Sequence, residues 1–508
     1  MTVRIYLCLV KTLAVLFPFG LADRILIIHP IYAGSHHSLL RALGDKLVDH
    51  GHEVTLFKAK EAGFVPKKSS VEIIEFPILD HRQICSRYIN DKGEFDVNIV
   101  LTSAFWNTGA FLGSSTLDFP CVVPCFCDTL FLSQELDDIM RSKSFDLVIV
   151  DLKGNDCGMR WLSFYDVPLV GFWGLPFAFT NAAQMMSAPS LAQITKPTFA
   201  NMVKNTVIYL FDYLAYRFVT PNLVDFYNDR LELILVNSSP LIEVPRPLGP
   251  TIKEVPGISI AVHNMTSRTI SSRFLNFLDK GTEGVIVFSI GKTGSGTVPS
   301  EFQHKLIQAL QAVPFKAILQ IEPSQIPEGL LDPAKILIDQ FLPLPEILEH
   351  PNTKLFISHC GSSSVQESIF YGVPILGMPI FEDQFDIAQS LEERGVGLVI
   401  WNKEQITWLE ISAKIKEIIQ NPKYSQSMKN HSQLFQDIYY RYPPLDEALF
   451  WINIVLKNKG TKIIRTRHVD LNILIDLSIA SMFMAMLCCL IYFKFCHWTP
   501  AQAKQKLS

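Results

Sequence analysis

Several signatures that commonly reveal a protein's chemistry are missing from this sequence. It contains no Asp-x-Asp motif, so no carboxylate pair of that kind can chelate a metal ion. Its cysteines lack the spacing of a zinc site backed by histidines. The glycine-rich turn at Gly291 lacks P-loop spacing, and the net charge of −4 gives no reason to expect nucleic acid. We therefore expect no metal, no resident cofactor and no nucleic acid.

Apolar residues are abundant and are concentrated at both ends as well as in the core. With 508 residues the chain exceeds the usual size of one core, so we expect two domains. Residues 1–22 carry Arg4, an apolar run broken by Lys11, and a Gly-Leu-Ala ending, which predicts a secretory signal peptide. A buried first helix is the alternative, but a strand is predicted to begin directly at Arg24.

The second apolar end, residues 471–493, is long enough to span a bilayer, and its only charge is Asp476. A core helix is the alternative, but nothing follows that could cover it. Flanking lysines and arginines favour the opposite orientation, whereas the signal peptide favours translocation of the long preceding part. We expect a single-pass type I protein with a C-terminal helix and juxtamembrane segment over 446–470 and a cytosolic tail over 494–508.

Short sequence motifs for retrieval and glycosylation are consistent with a protein of the endoplasmic reticulum lumen. Lys504 and Lys506, fifth and third from the end, have the spacing of a dilysine address for the endoplasmic reticulum membrane. Asn264 and Asn430 lie in glycosylation sequons. Disulfides are permitted in that compartment, but their pairing cannot be deduced. Four cysteines are close enough in sequence to pair: Cys121, Cys125, Cys127 and Cys157.

The most informative stretch is residues 356–399. It opens with an apolar strand, breaks at the His-Cys-Gly-Ser-Ser-Ser turn 359–364, and continues as a predicted helix over 365–371. Gly-Val-Pro then starts a second strand, and Asp383 and Gln384 stand just ahead of the next helix. Backbone N–H groups at a helix start form an anion site, and ligands of open α/β sheets gather at the carboxyl ends of strands.

A histidine, a small-residue turn, Glu367, Gly-Val-Pro and Asp-Gln at this spacing resemble the signature of the UDP-glycosyltransferase family, in particular its membrane-bound, UDP-glucuronosyltransferase-like animal type. The resemblance covers almost the whole chain and is strongest over residues 341–493. It implies an α/β fold of GT-B architecture, in which two doubly wound, Rossmann-like domains face each other across a cleft.

The resemblance also implies roles for the residues of the donor site. His359 and the turn would hold the diphosphate, Glu367 the ribose hydroxyls, and Asp383 and Gln384 the sugar hydroxyls. These residue types suit those partners. The full expected set of UDP-sugar-binding residues is Gly291, Lys292, Phe341, His359, Gly361, Ser362, Ser363, Ser364, Glu367, Asp383 and Gln384.

A second site is expected in the N-terminal half. Residues 24–29 predict a buried strand, a helix follows as far as Asp49, and the next strand starts at His52. This βαβ unit places His36 at the start of the helix, above the carboxyl edge of the sheet. The pattern places His37 equally well, but a Ser-His after Gly34 resembles the family's catalytic histidine and favours His36.

Asp151 follows the apolar strand predicted over residues 145–150. An aspartate in this place is often only a turn residue. The resemblance implies that it orients the histidine, as carboxylates do in catalytic triads. The carboxyl ends of neighbouring parallel strands lie side by side, so a contact between His36 and Asp151 is geometrically feasible. Asp156 is a rival carboxylate.

The aromatic and methionine-rich segments of residues 164–227 either pack or line an apolar acceptor pocket, and the sequence does not separate these alternatives. They include Phe172 and Trp173. A proline-rich segment over 241–258 predicts a linker. We therefore expect an acceptor-binding domain over 23–240 and a UDP-sugar-binding domain over 259–445.

The chain departs from the family pattern near the expected uracil site. The family usually has Trp where Phe341 stands, Gln where Leu344 stands and Ser where Lys292 stands. Phe341 can still stack on a base, but Leu344 offers no hydrogen bond, and Lys292 adds positive charge beside the diphosphate. These departures predict weaker selectivity for uridine.

The resemblance implies inverting transfer of glucuronic acid or glucose from a UDP-sugar to a hydroxyl of a small lipophilic acceptor, a detoxification chemistry. His36 would be the general base and Asp151 its partner. The alternative, motivated by Leu344 and Lys292, is a membrane-tethered protein of reduced activity that binds sugar nucleotides or lipids. The sequence leaves the oligomeric state open, a homo-oligomer included.

Overall fold

The computed structural model describes the greater part of the chain between residues 22 and 461. The described residues are 22–29, 34–60, 69–77, 129–130, 132–152, 159–174, 230–243, 248–266, 270–291, 298–322, 332–380, 383–461 and 481. They form two parallel sheets with helices packed against them.

The first sheet has seven strands in this part of the chain, in the order β3-β2-β1-β4-β5-β6-β7. These strands are β1 (Arg24–His29), β2 (Glu53–Ala59), β3 (Glu72–Phe76), β4 (Leu147–Asp151), β5 (Leu169–Trp173), β6 (Leu231–Val236) and β7 (Ile252–Glu254). The central strands are almost continuous apolar runs because both of their faces are covered. In the register of β1 with β4, Ile28 lies opposite Val150, which places the next residue of each strand side by side at the carboxyl edge.

Three helices occur among the described residues of this unit: α1 (Gly34–Asp49), α2 (Gln134–Ser142) and α3 (Met159–Leu162). The apolar face of α1 packs on the sheet, where Leu40, Leu43 and Leu47 are completely buried. This packing fixes the N-terminal end of α1 above the end of β1.

The second sheet repeats the arrangement with the strand order β10-β9-β8-β11-β12-β13. Its strands are β8 (Val285–Ser289), β9 (Lys316–Gln320), β10 (Ile336–Asp339), β11 (Thr353–Ser358), β12 (Ile375–Gly377) and β13 (Gly397–Val399). All described strands are parallel. In both sheets two strands are added in sequence on one side of the first strand, and the remaining strands are added on its other side. The order therefore reverses between β1 and β4 and between β8 and β11, and such switch points are where ligands of α/β sheets bind. The predicted pair of doubly wound parallel sheets is confirmed.

The helices that follow β7 along the chain continue the predicted alternation. They are α4 (Ile258–Thr266), α5 (Ser272–Asp279), α6 (Ser300–Gln311), α7 (Leu344–Glu349), α8 (Ser362–Tyr371), α9 (Gln384–Glu393), α10 (Trp408–Gln420) and α11 (Pro422–Arg441). The helix predicted over 365–371 begins three residues earlier, because Gly361 takes the N-cap conformation (φ −63°, ψ 139°) and the three serines form the first turn of α8. The serines are therefore part of the helix and not of the loop before it.

The last described helix, α12 (Pro444–Asn458), returns to the first sheet. Its residues Ala448 and Ile452 are completely buried in the same core as Leu43. Just beyond it, the Thr461 N–H donates to Glu232 Oε2 at 2.7 Å. The segment that follows α12 is thus hydrogen-bonded to β6 of the first sheet.

A side chain of α8 and the residue that follows α9 connect the two units. Gln366 Oε1 accepts from the Gly257 N–H at 2.5 Å, and Gln366 Nε2 donates to the carbonyl of Asn237 at 3.1 Å. Arg394 donates to the carbonyl of Glu243 at 2.8 Å. Residues 241–258, expected as a linker, include β7 and so also extend the first sheet.

The described residues contain no helix that is both apolar enough and long enough to cross a bilayer. The predicted span and cytosolic tail lie outside them apart from Ser481, and the predicted signal peptide lies outside them apart from Ala22. The four cysteines that are close enough to pair, and Asp156, also lie outside the described residues.

Candidate active site

At the switch point of the first sheet, Asp151 binds two histidines. β4 ends on Asp151, and His36 lies in the first turn of α1. His36 Nδ1 is 2.9 Å from Asp151 Oδ2, and His29 Nδ1, at the end of β1, is 2.8 Å from the same oxygen. All three residues are at most 2% exposed. The structure thus brings the predicted histidine and carboxylate together and adds His29.

The electrostatics of this cluster favour an ionised Asp151 carboxylate and a neutral His29 imidazole. Burial alone would raise the pKa of Asp151, but the charge of His36 and the hydrogen bonds from His29 and His36 bring that pKa below its usual value. Burial lowers the pKa of His29 in spite of its hydrogen bond with Asp151. Because an ionised carboxylate only accepts hydrogen bonds, each imidazole donates its Nδ1–H. His36 therefore presents Nε2 as its basic nitrogen.

His37, the alternative to His36, lies next to His29, with ring centroids 6.2 Å apart. Burial, together with the charges of His29 and Lys58, lowers the pKa of His37 to about 2. The geometry associates His36, and not His37, with the carboxylate.

The sequence reasoning missed His29. It stands one residue after Ile28, as Asp151 stands one residue after Val150, and the two strands pair in that register. A histidine that ends an apolar strand next to a strand ending in aspartate would have been the signal, but it requires knowing that β1 and β4 are neighbours.

At the switch point of the second sheet, His359 follows β11 and lies between two glycines. A Cβ atom at Gly361 would stand 2.5 Å from His359 Nε2, and one at Gly291 would stand 3.3 Å from it. Gly291 also has φ +72°, which favours glycine. Burial lowers the pKa of the ring to about 4, and the nearby backbone of Ser289 opposes this shift. His359 Nδ1 is buried without a hydrogen-bond partner among the described residues.

The N-terminus of α8 lies beside this ring. Gly361 has no side chain to cap the helix, so the first N–H groups receive no cap from that residue. Ser362 is buried, and its Oγ accepts from Gln366 Nε2 at 3.1 Å, while Ser363 and Ser364 are half-buried. The positive end of the helix dipole and its free N–H groups form an environment suited to phosphate.

Glu367 lies farther along α8 and is half-buried. Burial raises its pKa to about 7; the nearby Ser259 hydroxyl opposes this rise, and the charge of Glu346 adds to it. A carboxyl group in these surroundings accepts hydrogen bonds readily once it is ionised, as a ribose ligand would need.

Asp383 and Gln384 stand at the start of α9 and are almost completely buried. Gln384 Oε1 accepts from the Ile380 N–H at 2.9 Å. Nearby, the ammonium group of Lys403 donates to the carbonyl of Pro379 at 2.5 Å, and burial lowers the pKa of Lys403 to about 8. Lys403 thus supports the turn that carries Asp383, and sequence reasoning gave no sign of it.

The residues expected near the uracil base lie in different surroundings. Phe341 is 60% exposed, so much of its side chain is accessible to a ligand. Leu344 begins α7 and packs, half-buried, on the core around Leu342 and Ile347. Lys292 lies outside the described residues.

Two described aromatic residues of the predicted acceptor region belong to the core. Phe172 and Trp173 lie in β5 and are buried, so packing explains them. The remainder of that region, residues 175–229, lies outside the described residues.

Comparison with known proteins agrees with this geometry. The model of the UDPGT family, UDP-glucoronosyl and UDP-glucosyl transferase, matches residues 23–500. UDP-glucuronosyltransferase 2A3 of Cavia porcellus is 26% identical over 464 residues, which cover 86% of this chain and 85% of the relative. UDP-glucosyltransferase 2 of Dactylopius coccus is 26% identical over 488 residues, which cover 91% and 89%.

A solved structure shares the fold. A UDP-glucosyltransferase from Polygonum tinctorium, capable of glucosylating indoxyl and in complex with 3,4-dichloroaniline, aligns with a TM-score of 0.60 at 16% identity, over 86% of this chain and 99% of that one. This likeness and the two parallel sheets confirm a GT-B-like arrangement. Since the family model spans nearly the whole chain, the protein belongs to the UDP-glucoronosyl and UDP-glucosyl transferase family and is a UDP-glycosyltransferase.

Proposed function

We propose that this UDP-glycosyltransferase transfers glucuronic acid or glucose to a hydroxyl of a small lipophilic acceptor, with inversion at the anomeric carbon. The observation that carries the proposal is the 2.9 Å hydrogen bond between His36 Nδ1 and Asp151. A buried carboxylate fixes the tautomer of an imidazole and stabilises the imidazolium that forms when it accepts a proton.

In the proposed reaction, His36 Nε2 removes the proton of the acceptor hydroxyl. The oxygen forms a bond to the anomeric carbon while the bond from that carbon to the UDP oxygen breaks on the opposite face. UDP leaves with the electron pair of the broken bond. Inversion follows because one displacement occurs at the carbon.

The second sheet would stabilise the departing diphosphate. The N-terminus of α8 supplies N–H groups, and a phosphate oxygen would give His359 Nδ1 the partner that it lacks among the described residues. Glu367 would accept from the ribose hydroxyls, and Asp383 and Gln384 would bind the sugar. These residues do not themselves distinguish glucuronic acid from glucose.

The class of acceptor rests on the related structure from Polygonum tinctorium, whose acceptor indoxyl and bound dichloroaniline are small aromatic molecules. A neutral imidazole beside an ionised carboxylate suits a hydroxyl acceptor, which must lose its proton as it attacks.

A donor panel tests the proposal. Microsomes that contain the full chain are incubated with radiolabelled UDP-glucuronic acid, UDP-glucose or another UDP-sugar and a mixed set of phenols and aliphatic alcohols. We expect label on a small lipophile from one of the first two donors and a β-linked product from the α-linked donor. UDP binding without transfer from any donor would favour the binding-only alternative, and an α-linked product would contradict inversion.

The proposed location is the lumen of the endoplasmic reticulum, with residues 471–493 as the anchor. Protease added to sealed microsomes should remove only the last few residues. Digestion of the bulk of the chain would contradict this topology. Replacement of Lys504 and Lys506 by Ser should release the protein from the endoplasmic reticulum, and unchanged retention would show that the tail is not the address.

A further inference from the structure

Asp151 holds two imidazoles on a single oxygen atom. His29 Nδ1 and His36 Nδ1 lie 2.8 and 2.9 Å from Oδ2, and their ring centroids are 6.3 Å apart. A carboxylate that orients one base needs only one such contact. The second histidine therefore calls for a separate explanation.

Filling space does not explain His29. It ends a strand whose preceding four residues are completely buried aliphatic side chains. Another aliphatic residue would fill the position without the cost of burying a polar ring. The imidazole is also only half satisfied, because its Nε2 is buried with no hydrogen-bond partner among the described residues. Its hydrogen bond to Asp151 is what distinguishes it from an apolar residue.

We propose that His29 is a positioning residue of the transfer reaction, which holds the Asp151 carboxylate at the switch point and reduces the negative charge that it presents to His36. The proposal rests on the proposed function, in which His36 is the base. His29 itself does not contact substrate in this role.

The effect follows from the sharing of one acceptor. A hydrogen bond from His29 spreads the charge of the carboxylate, so the imidazolium that forms at His36 is stabilised less than it would be by Asp151 alone. His36 then stays unprotonated, and able to act as a base, to a lower pH. His29 also restrains the rotation of the carboxylate.

The other charged groups around the cluster are already engaged. Lys58 lies beside His29 in the sheet, and its ammonium group is 2.7 Å from Glu75. The positive charges of Lys58 and Arg41 act on His37, which stays neutral. Within the described residues, His29 and His36 are thus the side chains that donate to Asp151 Oδ2 in this cluster.

Two substitutions in the full-length chain distinguish the hydrogen-bond donor of His29 from the space that its side chain fills. His29→Leu removes the N–H at similar size, whereas the amide of His29→Asn keeps a donor near the position of Nδ1. kcat and KM are measured from about pH 5 to about pH 9 with the UDP-sugar that the wild type uses and a phenol as acceptor. His304→Leu, which changes a half-buried histidine of α6 in the second unit, is the control.

In His29→Leu we expect the acid limb of kcat/KM to move up by about one pH unit. We expect kcat at its plateau to fall about threefold to tenfold, with KM for the UDP-sugar unchanged. His29→Asn should restore the wild-type profile, and the control should match it. An acid limb that does not move in His29→Leu, or an Asn variant that behaves as the Leu variant does, would overturn the proposal.

If His29→Leu does not fold, ¹⁵N spectra of the histidine rings in the wild type test whether His29 donates its Nδ1–H to Asp151. A proton on His29 Nδ1 supports the proposal, and a proton on Nε2 alone overturns it. Failure of the proposed function looks different, since His36→Ala would then retain near-normal turnover. An inactive His36→Ala with an unmoved acid limb in His29→Leu would remove only the role of His29.

Discussion

The two sheets each place a histidine at their switch point, but they surround it differently. In the first sheet His36 contacts a buried carboxylate at 2.9 Å. In the second sheet His359 lies between two glycines and stands beside a helix N-terminus. A base needs a negative partner to stabilise its protonated form, whereas a phosphate site must avoid one. Under the proposed function, one topology thus places a proton acceptor in one unit and an anion site in the other.

The largest expected effect tests the first half of this comparison. His36→Ala should lower kcat about 100-fold or more, because it removes the proposed general base, while UDP binding stays nearly intact. Turnover assays and calorimetry with UDP measure the two quantities. His37→Ala is the matched control and should do much less. Equal losses in the two variants would contradict the assignment of His36.

The next prediction concerns selectivity in the second unit. If Leu344 stands at the uracil edge, a polar group of the base is left unpaired at a cost of roughly 1–3 kcal/mol. Wild type should then discriminate weakly between UDP, ADP and GDP, and Leu344→Gln should restore a preference for UDP. Competition against labelled UDP-sugar measures this.

Leu344 packs on Leu342 and Ile347, so the melting temperature of the Gln variant must be followed as well. Lys292→Ser should weaken all three nucleotides alike. A wild type that strictly selects UDP, with no change in Leu344→Gln, would show that uracil is recognised elsewhere.

The third prediction tests the glycines around His359. In Gly361→Ala the new Cβ would stand 2.5 Å from His359 Nε2, so the ring must move. UDP affinity should fall about tenfold, or about 1.4 kcal/mol, in calorimetry. Ser363→Ala changes the same turn without crowding the ring and should have a smaller effect. An unchanged affinity in Gly361→Ala would separate His359 from the nucleotide site.

Much of this arrangement was predictable from local sequence. The apolar runs of β1, β4 and β11 and the residues that end them indicated both switch points, because ligands gather there in any doubly wound sheet. The contact of His29 was not predictable, since it joins residues 122 positions apart whose strands must first be known to pair. The same holds for α12, which follows the second unit but is buried against the first because of tertiary packing.

The smallest expected effect concerns acid stability and compares the two units directly. The buried environment lowers the pKa of His37 to about 2 and that of His359 to about 4, so below pH 6.5 the unfolded chain binds protons that the folded chain excludes. Stability is therefore lost as pH falls through 6.5, by about 0.7 kcal/mol per histidine between about pH 7 and pH 6. His37→Leu and His359→Leu should each reduce this loss by that amount in urea titrations at the two pH values. A loss unchanged in both variants would show that neither ring is buried in its neutral form.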